Sequence, residues 1–147
     1  MKLKEKILKI LNYIVGDPKH TSLEERLLNS VTFVNGVMNI LGSFASFYLP
    51  NFLSLFLLNF TTGILFLIFY YLSRFKNKIN SLFWPFNITI FIFLSVNWFL
   101  NGGSYGGSHY YLIPALVIAT MLLRKENYYL VYIMYMFGTA VLFSLEY

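Results

Sequence analysis

The chain has 147 residues, of which 58% are apolar and only 12% charged, with a net charge of +5 and no cysteine. A soluble domain carries about a quarter charged residues, so this composition lacks the polar shell that water demands. Disulfides and thiolate metal sites are excluded, and nucleic acid is not an expected partner. The cations lie in short segments between apolar runs rather than along one face.

Residues 1–20 read as a cytoplasmic, basic amphipathic segment. Leu3, Ile7, Leu8, Ile10, Leu11, Ile14 and Val15 recur at helical spacing, interleaved with Lys2, Lys4, Lys6 and Lys9. This pattern suits a helix lying in the headgroup region of an anionic leaflet. A cleaved signal peptide fits less well, because no uninterrupted apolar core or small-residue cleavage site follows. Gly16, Asp17 and Pro18 end the helix.

Residues 21–147 read as a transmembrane domain with spans at about 27–49, 52–73, 82–100, 110–123 and 128–145. Thr21 or Ser22 caps the first, with Glu24 and Glu25 in its first turn, where the helix dipole favours anions. Gly42 and Ser46 permit close approach of a second helix. Pro50 and Asn51 turn the chain into the most apolar span, and a basic loop follows from Arg74 to Asn80. The third span has Pro85 in its first turn, where proline is least disruptive. The fourth is short for the ~30 Å hydrocarbon core, which takes roughly 20 helical residues, and it contains Pro114. The expected fold class is all-α: an integral membrane bundle of about five transmembrane helices preceded by an amphipathic interfacial helix.

All eleven Lys and Arg residues fall in the segment up to Arg26, in the loop from Arg74 to Lys78, or at Arg124 and Lys125. The connections at Pro50-Asn51 and at Asn101 to His109 carry none. Basic segments stay inside during insertion, which predicts a multi-pass inner (plasma) membrane protein with a cytoplasmic N-terminus and an external glycine-rich loop.

That loop, Asn101-Gly-Gly-Ser-Tyr-Gly-Gly-Ser-His109, is the sequence's best candidate for a site. Asn97, Asn101, Ser104, Tyr105, Ser108 and His109 offer hydrogen bonds, and Trp98, Tyr110 and Tyr111 offer flat apolar walls, the mixture that holds small ligands. The plainer reading is a flexible turn flanked by an interfacial aromatic belt. A serine hydrolase built on Ser104 or Ser108 with His109 lacks a third group to orient the base, since the only acid on that side is Glu146 at the chain end. His20 and His109 fall on opposite sides and cannot share a metal. No cofactor is expected. The asparagines of the first and third spans read as interhelical hydrogen-bonding groups rather than a transport path, because no charged residue lies at mid-depth.

The run His20-Thr-Ser-Leu23-Glu24-Glu25-Arg26-Leu-Leu-Asn29, the stretch Trp98-Phe-Leu-Asn101-Gly102-Gly103-Ser104 and the ending Leu145-Glu146-Tyr147 resemble the multi-span N-terminal sensor regions of bacterial signalling proteins. Those regions precede histidine kinase, diguanylate cyclase or adenylate cyclase domains. The resemblance covers residues 20–147 and implies a receptor-like module of six spans working as a homodimer, with a cytoplasmic signalling domain or protein as its output. The chain departs from that pattern at Gly107-Ser108, where the family has a proline, and it stops before a sixth span. The expected function is a sensory, ligand-binding membrane module without catalysis, its small-molecule ligand held by Asn97, Trp98, Asn101, Ser104, Tyr105, Ser108, His109 and Tyr110. A small transporter or channel subunit, or a membrane-acting toxin or immune effector, are the alternatives.

Overall fold

The computed structural model describes residues 2–49, 51–122 and 128–146, without the side chains of residues 2–4, Ser108, His109 and Tyr128. The described residues form helices α1 (Lys2–Val15), α2 (Leu23–Ala45), α3 (Phe52–Lys76), α4 (Ile79–Leu100), α5 (Leu112–Leu122) and α6 (Tyr128–Glu146). Short 3₁₀ turns at Ser46–Tyr48, Gly103–Tyr105 and Ser108–Tyr111 join them.

Among the described residues, four stretches are long and apolar enough to cross a membrane: Leu23–Tyr48, Phe52–Lys76, Ile79–Leu100 and Tyr129–Glu146. The expected fourth span is present in its described part as a short apolar helix. α5 has 11 residues, a rise of about 16 Å that falls short of the hydrocarbon core unless the adjoining turn contributes. Arg124, Lys125 and the end of that expected span lie outside the described residues. Leu41, Ile68, Ile92, Val117 and Ile133 are all exposed around the bundle. A water-facing surface of this kind is rare, whereas acyl chains solvate it well.

The caps account for where the helices begin and end. Ser22 Oγ accepts from the Glu25 N–H at 3.2 Å while the Glu25 carboxylate accepts from the Ser22 N–H at 3.2 Å, a reciprocal box that starts α2. Thr21 instead donates its hydroxyl to the Asp17 carbonyl. Asn51 and Asn77, both left-handed, flank α3, a conformation asparagine tolerates better than most residues. The helices run through most of the basic loop, so only Asn77 and Lys78 connect α3 to α4. Arg74 and Lys76 sit in the last turn of α3, where cations favour the dipole. Because α4 starts at Ile79, Pro85 lies inside the helix rather than in its first turn.

α4 is the axis of the core. Leu82, Phe86, Ile90, Leu94 and Trp98 recur every fourth residue and are all buried, packing with Phe66 and Phe69 of α3, Ala115 and Ala119 of α5, and Val131, Tyr135 and Leu142 of α6. The α2–α3 pairing is the most extensive in the bundle. It closes at Gly36 and Gly63, where a Cβ on Gly63 would stand 3.0 Å from the Gly36 carbonyl oxygen. Gly42, the sequence's candidate for this approach, has nothing within 4 Å of its Cβ position and so makes no such crossing.

α1 is pinned at its C-terminal end. Asn29 Nδ2, Tyr70 Oη and Arg74 Nε donate to the carbonyls of Val15 (2.9 Å), Ile14 (3.0 Å) and Tyr13 (3.0 Å). These are carbonyls that a helix end leaves without intrahelical partners. Asn29 thereby ties α1 to α2, and Tyr70 and Arg74 tie it to α3.

Candidate functional site

Two linked features occupy the end of the bundle that carries the glycine-rich loop. The first is a latch. The Glu146 carboxylate, at the end of α6, accepts from the Ser104 N–H (2.9 and 2.8 Å), the Ser104 hydroxyl (2.8 Å) and the Trp98 indole N–H (3.2 Å). Charge-assisted bonds of this kind are about twice as strong as neutral ones. The local backbone is shaped to admit the carboxylate. Gly102 and Gly103 take positive φ, and a side chain on Gly103 would run into the carboxyl group of Glu146. Gly106 is required for a second reason, because a Cβ there would overlap the Asn101 carbonyl. Trp98 is itself fully buried, edge-on to Phe143 of α6 at 4.9 Å.

The second feature is a cavity of about 370 Å³ below the loop, among α2, α3, α4 and α5. Its walls include Phe66, Ile90, Phe93, Leu94, Ala115 and Ile118, and four carboxamides reach it: Asn35 and Asn39 from α2, Asn59 from α3 and Asn97 from α4. None of the described lining residues is charged. Gly42 keeps one wall open, and Met38 and Tyr111, each 62% exposed, stand where the cavity meets the bundle surface. The volume falls in the range of small-molecule sites, about 300–1,000 Å³.

Asn97 connects the cavity to the start of the glycine-rich loop. It lines the cavity, and its Oδ1 accepts from Asn101 Nδ2 at 2.7 Å at the start of the glycine-rich loop. Of the other residues expected to hold a ligand, Trp98 is core and latch, and Ser104 is occupied by Glu146. Tyr105 and Tyr110 are 93% and 70% exposed. The side chains of Ser108 and His109 lie outside those described. The structure therefore pairs Asn97 with Asn101, gathers Trp98 and Ser104 on Glu146, and leaves both tyrosines at the surface.

The sequence reads Asn35 and Asn39 as interhelical hydrogen-bonding groups and gives Asn59 no role, and the convergence of the three on one cavity is not visible in any window of sequence. They come from two helices whose relative rotation is set at Gly36 and Gly63. Glu146 did carry a signal: it is the only acid after Glu126, at the far end of the last apolar run.

The fold and site define a membrane-spanning, all-helical protein with a polar-lined cavity inside its bundle. Comparison of the chain with family models, curated proteins and solved structures finds no match.

Proposed function

We propose that the chain is a sensory, ligand-binding module of the plasma (inner) membrane that works without catalysis, as its resemblance to bacterial sensor regions implies. The observation that carries this reading is the cavity, uncharged and walled by apolar groups, with four carboxamides converging on it. The N-terminus is cytoplasmic and the glycine-rich loop external, in line with the distribution of Lys and Arg. α5 is taken as the return pass of a five-span bundle. That reading is supported by Glu146, 42 residues after Ser104, lying beside it, because the chain must descend and come back between them.

Ligand in the cavity favours one arrangement of α2 against α3 and α4, and a ligand can shift such an equilibrium only by its differential affinity. Because Asn29 of α2 and Tyr70 and Arg74 of α3 hold the end of α1, a change in the α2–α3 relation moves that helix on the cytoplasmic side. α1 is then the element that a cytoplasmic output partner reads.

The test is a chimera in which the chain continues through an added sixth span into a histidine kinase. Asn39→Leu should shift kinase output by about fivefold or more, the low end of allosteric coupling. Leu41→Ala, on the exposed face, should leave output unchanged. Equal output from the Asn39→Leu and unsubstituted chimeras, at equal membrane abundance, would count against the proposal. The same carboxamides suit carriage of an uncharged solute, and solute flux in liposomes would favour that second reading.

A further inference from the structure

We infer that the cavity takes an uncharged, single-chain amphiphile with a hydroxyl head, entering sideways from the bilayer. This rests on the ligand-binding reading above and names the class of ligand. The absence of charge among the described lining residues sets the first condition. An ionised head would be buried without a counter-charge, at a cost that conserves such groups for paired sites.

The hydrogen-bonding state of the asparagines sets the second. Asn35 and Asn39 each spend one N–H on their own helix, donating to the Val31 carbonyl (2.8 Å) and the Asn35 carbonyl (2.8 Å). Asn59 donates to Ser46 Oγ at 3.4 Å. The side-chain oxygens of all three accept no bond among the described residues, and none is sealed in the protein interior. A carboxamide has two donors and an acceptor, so each keeps one N–H and one oxygen for the cavity. A hydroxyl answers both at once, donating to an oxygen and accepting from an N–H. A head that only accepts, such as an ether, leaves the oxygens unanswered.

The route and the tail follow from the walls. Phe66, Ile90 and Ile118 suit a hydrocarbon chain, and the exposed rim at Met38 and Tyr111 faces the surroundings of the bundle, which for this chain are acyl chains.

The experiment uses the full chain in nanodiscs of phosphatidylcholine. Four diazirine probes of equal chain length, with hydroxyl, carboxylate, trimethylammonium or methyl heads, are photolysed and their adducts mapped by mass spectrometry. The hydroxyl probe should label cavity residues at least about tenfold more than the other three, the discrimination expected from one satisfied polar pair. Gly42→Leu fills open space without a backbone clash and should abolish cavity labelling, with labelling at exposed Met136 and Phe137 unchanged. Asn39→Leu should remove the preference for hydroxyl over methyl. Equal or stronger cavity labelling by a charged probe overturns the ligand class and leaves the site standing. Labelling of Met136 and Phe137 by every probe, with none in the cavity, overturns both.

Discussion

Replacing Glu146 by glutamine will release the glycine-rich loop while leaving the bundle folded. The carboxylate holds the Ser104 N–H, the Ser104 hydroxyl and the Trp98 indole together, across 42 and 48 residues of sequence. Glutamine is nearly the same size but has one accepting oxygen instead of two, and its NH₂ faces donors it cannot satisfy. Hydrogen exchange at the Ser104 amide should therefore quicken by about tenfold or more, as expected when a charge-assisted bond is lost. Amides in the buried stretch of α4 should keep their protection, because the apolar contacts of Phe86 and Leu94 do not involve the latch. An unchanged Ser104 exchange rate would mean that the loop is held by its own turns. Gly103→Ala attacks the same contact from the other side, since its Cβ would overlap the carboxylate at a backbone angle that alanine rarely adopts.

The largest loss of stability is expected at the α2–α3 crossing. A Cβ on Gly63 would lie 2.7 Å from Ile40 Cγ1 and 3.0 Å from both the Gly36 carbonyl oxygen and the Ile40 nitrogen. Two of those three atoms belong to backbone, so rotamer changes cannot relieve the contact and the helices must separate. Gly63→Leu should destabilise the protein by about 2 kcal/mol or more, toward the upper part of the range for overpacked interfaces. Gly42→Leu should be neutral or stabilising, because its site is open and glycine is a poor helix former. Unfolding of both variants in mixed micelles by increasing sodium dodecyl sulfate would show the contrast. Equal midpoints would remove Gly63 as the contact that sets the helix rotation.

How much of this was legible beforehand differs from element to element. The apolar runs and their basic flanks announce the long helices, because a bilayer imposes length and charge position on any chain that crosses it. The Ser22 cap and the end of α1 at Gly16 follow from local chemistry and appear where the residues indicate. α5 was harder: Pro114 and the glycine-rich loop blur its start, and its 11-residue length is below that of its neighbours. The cavity was not legible. Asn35 and Asn39 share a face of α2 at a spacing of four, but Asn59 and Asn97 come from other helices, and which faces converge depends on a glycine pair on two different helices. The glycine-rich loop drew attention for its own polar groups, yet what organises it is an acid 42 residues away from Ser104, a long-range pairing that no window of sequence contains.

The placement of the loop and the cavity on the external side is the claim on which the sensor reading stands, and thiol labelling tests it most directly. The chain contains no cysteine, so a single substitution introduces the only thiol. Tyr105→Cys in the loop and Lys78→Cys between α3 and α4 both replace exposed residues. In intact cells a membrane-impermeant maleimide should label the Tyr105→Cys protein and should reach Lys78→Cys only after permeabilisation. Labelling of Lys78→Cys in intact cells, with Tyr105→Cys protected, would contradict the topology and the direction of signalling drawn from it.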